Sequence, residues 1–205
     1  MATEVAPAGD AQATAASPTT ETKIRPKHPL KNQWTLFYKE YSRQKSWTDC
    51  MVNVTTFDTV EDFWSLYNHI QLASGLPFSS DYYLFKKGIQ PMWEDEMNRE
   101  GGRWLIHVEK GKRHMLDQIW RDMLMAVVGE QFGEDSDQIC GCVFNSRQKG
   151  DKVSLWTKDA KEEEAVRRIG LILKDRTGLQ DMLTYEKHTD TQQKTGSAVK
   201  AVMKV

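Results

Sequence analysis

Two tryptophans of this chain lie in polar surroundings where a core residue is not expected. Trp47 occurs in a polar stretch between two predicted strands, and Trp93 is followed directly by three acids. The indole ring is large and concentrates where binding energy is concentrated. Each ring taken alone could equally fold back onto a sheet. By contrast, the other tryptophans on apolar faces are predicted to be core residues, namely Trp34, Trp104 and Trp120.

A cluster of cations links two later predicted strands. Residues 147–152 have the sequence RQKGDK and form a predicted hairpin loop. Such a run is more often simply solvated. However, Lys152, Ser154 and Trp156 alternate along the next strand and therefore share one of its faces. Cations beside aromatic rings are typical of sites for nucleotides and single-stranded RNA.

The acid that follows Trp93 indicates which base such a site would take. Glu94 would repel phosphates, so it needs a donor-rich base edge, and guanine supplies one through N1–H and its 2-amino group. Methylation at N7 makes the base positive, which adds roughly 0.5–2 kcal/mol of cation–π energy per indole face. Stacking itself contributes about 1–3 kcal/mol per base. The residues therefore predict a 7-methylguanine nucleotide between Trp47 and Trp93.

Two other classes of function stay open at this point. An enzyme acting on nucleotides could bind magnesium through the acids at 94–96, but the chain has no Gly-rich phosphate loop, no Nudix-like run and no His-rich metal set. A general binder of single-stranded RNA is the second, although the lone Glu94 favours one defined base. Cys140 and Cys142 are too close for a zinc half-site and are predicted to pack in a strand. We expect no cofactor and no metal.

Composition limits the compartment and the kind of partner. The formal net charge is −1, so a nucleic acid must contact a local patch. The 3 cysteines form no disulfide framework, which indicates a reducing, intracellular environment. No apolar run reaches the roughly 20 residues that span a bilayer, and the N-terminus lacks the order of a signal peptide. We expect a cytoplasmic protein, also nuclear if carried there, with no membrane contact.

The periodicity of the apolar residues predicts an α+β fold. Helical spacing occurs at Val60–Ile70, Arg113–Val128 and Lys161–Thr177. Thr59 with Asp62, or Asp58 with Glu61, forms a capping box for the first helix, and Gly178 ends the third. Short strands with three separated helices indicate an antiparallel sheet with helices on one face. The predicted strands are at about 34–41, 51–57, 81–86, 103–109, 138–146, 152–157 and 182–188.

The two ends of the chain differ in composition from the rest. Residues 1–27 consist mainly of small, polar and acidic residues and are predicted to be a disordered tail. Residues 189–205 are polar and lysine-rich and are predicted to be partly mobile. A single domain is therefore predicted over 28–205.

Several long strings resemble the eukaryotic translation initiation factor 4E family, the proteins that bind the mRNA 5′ cap. They are His28-Pro29-Leu30, residues 57–64 (FDTVEDFW), 67–70 (YNHI), 91–95 (PMWED), 101–104 (GGRW), 149–152 (KGDK) and 195–197 (TGS). The resemblance covers about residues 28–205. It implies a curved antiparallel sheet backed by three helices on its convex face, with the 7-methylguanosine cap on the concave face.

The resemblance also implies residue roles. Trp47 and Trp93 match the two stacking residues, Glu94 the guanine acceptor, and Trp156 the residue at the N7-methyl group, with Thr48 beside the base. Its phosphate-binding and supporting positions correspond to Arg103, Arg147, Lys149, Lys152 and Lys194. Ser197 matches a regulatory phosphorylation position.

On the convex side, the family binds a short amphipathic helix of the scaffold initiation factor 4G or of inhibitory 4E-binding proteins. Geometry agrees, because Trp64 lies about 100° from the core face of its helix and Val60 is its i, i+4 neighbour. Met125 is predicted to point away from the core. Arg121 stands where the family is usually apolar, so we expect weakened partner binding. Whether this member promotes or represses translation stays open. The implied partner surface comprises His28, Pro29, Val60, Trp64, Arg121, Asp122, Met125 and Gly129.

Overall fold

The computed structural model describes residues 26–42, 44, 46, 48–192 and 201–205. In this part of the chain, eight strands form one curved antiparallel sheet in the order β2-β1-β3-β5-β6-β4-β7-β8. The strands are β1 (Pro29–Glu40), β2 (Met51–Thr59), β3 (Ser80–Lys86), β4 (Gly102–Val108), β5 (Ile139–Asn145), β6 (Asp151–Thr157), β7 (Thr184–Lys187) and β8 (Met203–Lys204). The helices are α1 (Val60–His69), α2 (Leu116–Val128), α3 (Glu163–Thr177) and the short α4 (His188–Gln192). The predicted α+β fold is confirmed.

The main core lies between one face of the sheet and helices α1, α2 and α3. Trp34, Trp104 and Trp120 are at most 2% exposed in this core, as predicted. The opposite face, here called the open face, carries a smaller apolar cluster. Strand residues alternate between the two faces, so one strand serves both the core and the open face.

The helix ends form as the sequence indicates. The Thr59 hydroxyl accepts a hydrogen bond from the Asp62 N–H at 3.2 Å and donates to the Asp62 carboxylate at 2.7 Å. Gly178 ends α3 with φ +65°, a conformation that favours glycine. The predicted core face of α2 is buried throughout, whereas in α1 only Phe63 is fully buried.

Some boundaries differ from the prediction. Strand β1 begins at Pro29 instead of about 34, because its first residues are exposed or half-buried and show no apolar alternation. Residues 110–115 form a 3₁₀ segment and α2 starts only at Leu116. The helix α4 and the two-residue strand β8 were not predicted, since neither has a periodic apolar pattern.

The described chain begins beside α1. The Lys27 ammonium pairs with Asp62 at 2.6 Å, and the His28 N–H donates to Glu61 at 2.9 Å. Residues 1–25 and 193–200 lie outside the described part of the chain, so the predicted tail and mobile segment stay predictions. No helix in the described ranges is long and apolar enough to cross a membrane.

Candidate functional site

The open face contains a cavity of about 520 Å³. It brings together six of the predicted site residues: Trp93, Glu94, Arg103, Arg147, Lys152 and Trp156. Its other lining residues include Lys39, Asp81, Tyr83, Asn145 and Ser154. The predicted sharing of one strand face by Lys152, Ser154 and Trp156 is confirmed, since Val153 and Leu155 lie in the main core.

Strand register places polar side chains in a continuous line across the open face. Lys39 pairs with Asp81, Asp81 with Asn145, Asn145 with Lys152, and Lys152 with His107. Residues paired across neighbouring strands point to the same side of a sheet. These five residues are here called the polar row; four of them line one end of the cavity, and His107 continues the row beyond it.

The other part of the cavity floor is apolar. Tyr83, Val143 and Trp156 form it. They belong to a cluster of seven buried residues on the open face, whose other members are Phe37, Phe85, Ile89 and Cys140. Trp93 and Met97 pack against this cluster. Cys140 and Cys142 both pack in β5, as predicted, but on opposite faces of the sheet. Burial raises the pKa of the Cys140 thiol to about 12.

Trp93 is half-buried and lies on a loop that is held by its own polar side chains. The Asn98 amide, which is fully buried, donates to the carbonyls of Gln90 and Met92, both at 2.8 Å. The Asp95 carboxylate accepts from the Gln90 N–H at 2.8 Å and the Met97 N–H at 2.9 Å. These contacts place Trp93 over the apolar floor and leave the neighbouring acid, Glu94, exposed.

Behind Trp156 lies a buried histidine. The ring centroids of Trp156 and His188 are 4.2 Å apart, and His188 has no exposed surface. Burial, and next the charge of Arg103, lower the pKa of His188 to about 3. The ring nitrogens of His188 and the Trp156 Nε1 have no hydrogen-bond partner among the described residues. His188 is therefore neutral at physiological pH, and it backs the indole with an uncharged ring.

Arg103 is fixed at the same side of the cavity. Its Nη2 and Nε donate to the same oxygen of Glu186 at 2.8 and 3.2 Å. Both side chains are largely buried, and this pair joins β4 to β7. The guanidinium thus has a defined place before any ligand enters.

Asp81 organises the opposite side. Arg147 Nη1 lies 2.6 Å from one of its carboxylate oxygens, while the Lys39 ammonium at 3.1 Å and the Tyr83 hydroxyl at 2.9 Å contact the other. Burial alone would raise the pKa of Asp81, but the hydrogen bond and charge of Arg147, with help from Asn145 and Lys39, lower it below its ordinary value. Asp81 is therefore a buried carboxylate that stays charged and holds two cations.

The remaining predicted ligand residues lie elsewhere. Lys149 lines an adjoining groove of about 610 Å³, which shares Arg147 and Lys152 with the cavity. Thr48 is exposed, is absent from the cavity lining, and bonds to the Ser46 hydroxyl at 2.9 Å. Trp47, Lys194 and Ser197 lie outside the described residues, so their predicted roles stay predictions.

The predicted partner surface lies on the helix side. Val60 and Trp64 are 38% and 36% exposed, and His28, Pro29 and Gly129 are also exposed. Met125 does not point away from the core as expected: it is half-buried and packs against the main core. The α-helical spacing alone did not reveal this contact, because it gives the direction of a side chain but not which tertiary neighbours pack against it.

Arg121 lies beside this surface with about two-fifths of its side chain exposed. Its Nη2 and Nε donate to the Asp122 carboxylate at 3.0 and 3.2 Å. A short polar contact with its chain neighbour therefore holds the guanidinium.

Sequence reasoning missed four polar lining residues: Lys39, Asp81, Tyr83 and Asn145. The alternation of Phe37 and Lys39 along β1, on the side opposite to Trp34 and Leu36, is a signal that could have placed Lys39 on the open face. Asp81 was recognised as the start of a strand, but its pairing with two cations depends on contacts with distant parts of the chain.

Comparison with known proteins gives a consistent result. The model of the family described as eukaryotic initiation factor 4E matches residues 29–202. Initiation factor 4E-3 of Caenorhabditis elegans is 54% identical over 198 residues, which cover 94% of this chain and 78% of the relative. The human initiation factor 4E is 48% identical over 177 residues, covering 85% of this chain and 82% of the relative.

Solved structures agree. Initiation factor 4E-3 of Ascaris suum in complex with an m2,2,7G cap has a TM-score of 0.83 and 54% identity, covering 88% of this chain and 99% of that one. The Caenorhabditis elegans factor 4E-3 in complex with the 4E-binding protein Mextli and a cap analogue has a TM-score of 0.82 and 52% identity, covering 88% and 100%.

Proposed function

Because the chain belongs to the eukaryotic initiation factor 4E family, we propose that it binds the 7-methylguanosine cap of mRNA in the open-face cavity and recruits a scaffold partner for translation initiation. The proposed place of action is the cytoplasm. The proposed role is binding without catalysis, as its relatives are named as initiation factors. The observation that carries the proposal is one cavity lined by two indoles, an exposed carboxylate and a set of cations.

The base end of the cavity comprises Trp93, Glu94 and Trp156. Trp93 offers one indole face, and Trp47 is proposed to close over the other side of the base. Glu94 would accept two hydrogen bonds from the N1–H and 2-amino groups of guanine, a charge-assisted pair. Trp156 would lie against the positive N7-methyl edge, where an aromatic ring is favourable.

The phosphate end comprises Arg147 and Lys152. Lys152 belongs to the polar row, Arg147 pairs with Asp81 of that row, and Arg103 lies opposite Trp156 on the neighbouring strand. We propose that they pair with the triphosphate bridge, while Lys149 and Lys194 contact the chain that continues from it. Charge pairs of this kind steer the ligand and weaken as salt rises.

Fluorescence titration with 7-methyl-GTP and with GTP tests the base end. The parent should prefer the methylated nucleotide, and Trp93→Ala should lose about 1–3 kcal/mol of affinity for it, tenfold to a hundredfold. Trp64→Ala is the matched control, because that tryptophan lies on α1 and does not line the cavity. Parent-like binding of 7-methyl-GTP by Trp93→Ala would place the ligand elsewhere.

We propose that the helix-side surface binds a short amphipathic helix of a scaffold factor 4G or a 4E-binding protein. The neighbouring exposed pair Val60 and Trp64 suits apolar anchors of such a helix. Arg121 sets a charge beside them, so Arg121→Leu should tighten peptide binding by roughly 1 kcal/mol, the scale of one modest apolar contact. Trp64→Ala should abolish peptide binding.

Isothermal titration with one peptide decides this point, with cap affinity measured in parallel. Both variants should keep the parent's cap affinity, since distant sites usually act independently. Weaker peptide binding by Arg121→Leu would mean that this arginine makes a favourable contact of its own.

A further inference from the structure

Lys39 is a buried cation on the floor of the cavity. It is 7% exposed, lies near the end of β1 and begins the polar row. Long charged side chains are rarely buried unless they are paired. One partner of Lys39 is Asp81, whose carboxylate also holds Arg147. A lysine in this place therefore acts on the same carboxylate as a proposed phosphate ligand.

The charges of this group do not cancel. Two cations, Lys39 and Arg147, share the single carboxylate of Asp81, and each contacts a different oxygen of it. The Tyr83 hydroxyl donates to the carboxylate without changing the count. The group carries one net positive charge at the wall of the cavity, and Arg147, with 38% of its side chain exposed, presents it to the open space.

We propose that Lys39 is a specificity-determining residue of this site: by compensating Asp81, it leaves the charge of Arg147 available for phosphates and so sets the preference for a charged phosphate chain. This inference rests on the proposed cap binding. Without Lys39, Arg147 and Asp81 would form a closed, neutral pair. An anionic ligand would then have to compete with Asp81 for the guanidinium. Lys39 acts through Asp81 and is thus a positioning residue.

A simpler role for Lys39 would be to neutralise a buried carboxylate and stabilise the fold. The two roles differ in one measurable respect. A purely structural lysine would affect all ligands of the cavity alike, or none. A lysine that sets the charge of the phosphate end would affect ligands in proportion to their negative charge.

The test compares uncharged 7-methylguanosine, 7-methyl-GMP and 7-methyl-GTP on the full chain. Lys39→Gln should weaken 7-methyl-GTP by about threefold to tenfold, weaken 7-methyl-GMP less and leave 7-methylguanosine unchanged. Lys39→Arg keeps the charge and should restore the parent's ratio between the ligands. Lys112→Gln is the matched control, because that lysine pairs with Asp181 outside the cavity.

The salt dependence gives a second readout. The affinity of Lys39→Gln for 7-methyl-GTP should fall less steeply with salt than that of the parent, because the site carries one charge fewer. Where Lys39→Gln fails to fold, Lys39→Met keeps the chain length and takes its place. Equal losses for all three ligands, or an unchanged ratio, would overturn the inference. A parent that binds none of the ligands would instead overturn the proposed function.

Discussion

At the base end of the cavity the main aromatic side chain, Trp93, is carried by a loop. The phosphate end combines Lys152, on a paired strand, with Arg147, which lies in the loop between β5 and β6 and pairs with Asp81 on β3. The loop of Trp93 keeps its shape through a few contacts of Asp95 and Asn98. Asp81 and Lys152 lie on strands that pair with neighbours on both sides, and the ion pair with Asp81 holds Arg147. The base end can therefore adapt to a planar ring, while the phosphate end offers charges at fixed spacing.

The two ends of the cavity also differ in the charge of the titratable group buried beneath each of them. His188 behind Trp156 is held neutral by burial, and its pKa falls to about 3. Asp81 beneath Arg147 is held charged by its two cations, and its pKa lies below the ordinary value. The positively charged base of the ligand would therefore lie near a neutral buried histidine, and its phosphates would lie near cations that a buried carboxylate holds.

The largest effect is expected at the phosphate end. Replacing Arg147 and Lys152 together by Ala should weaken 7-methyl-GTP by about 3 kcal/mol, since each charge-assisted hydrogen bond contributes about 1.5–3 kcal/mol. Uncharged 7-methylguanosine should be nearly unaffected. Calorimetric titration with both ligands measures the difference.

The matched control is Arg167→Ala with Arg176→Ala, two exposed cations of α3. Thermal unfolding is followed as well, because Arg147 also supports Asp81. If both ligands lose the same affinity, the two cations hold the fold and do not meet the phosphates.

The next effect concerns acid stability and His188. Its pKa is about 3 in the folded protein against 6.5 ordinarily, so the unfolded chain takes up the proton first as pH falls. The stability from a neutral His188 is complete above the unfolded pKa and is lost progressively as pH falls towards 3. Between pH 7 and pH 5 this amounts to about 2 kcal/mol of unfolding free energy.

Denaturant unfolding of the parent and of His188→Phe at both pH values measures this loss. His188→Phe should lack the loss of unfolding free energy that His188 causes between the two pH values. The control His114→Phe, at an exposed histidine, should retain this loss. An identical pH dependence in parent and His188→Phe would show that another group carries the acid sensitivity. Asp81 makes a separate contribution to the loss of stability in acid. This contribution is lost only as pH falls below the ordinary pKa of a carboxyl, because the pKa of Asp81 in the folded protein lies below that value.

The smallest effect is expected from the loop of the base end. Asn98→Ala removes two hydrogen bonds to the carbonyls of Gln90 and Met92 and should loosen the loop that carries Trp93. We expect a loss of about 1 kcal/mol in affinity, the net value of one ordinary hydrogen bond. The loss should be equal for 7-methyl-GTP and 7-methylguanosine. Asn53→Ala on the exposed edge strand is the control; a loss confined to the triphosphate would contradict the model of two separate ends.

Local patterns predicted the faces of the strands but not their neighbours. The alternation of Lys152, Ser154 and Trp156 was sufficient to place them on one side, and the structure agrees. Asp81 and Lys39 could not be paired in advance, because register between strands far apart in sequence is set by the whole sheet. His188 fell at the end of a predicted strand, and only the packing of α4 brings it to Trp156.

The polar row has a consequence for the order of events during synthesis. Its five residues come from five strands, and they span the chain from Lys39 to Lys152. Contacts between residues so far apart in sequence form slowly in folding. A growing chain therefore completes the phosphate end only after β6 has left the ribosome. A chain that ends before Asp151 should not bind to a 7-methyl-GTP resin, so incompletely synthesised chains would not bind capped mRNA.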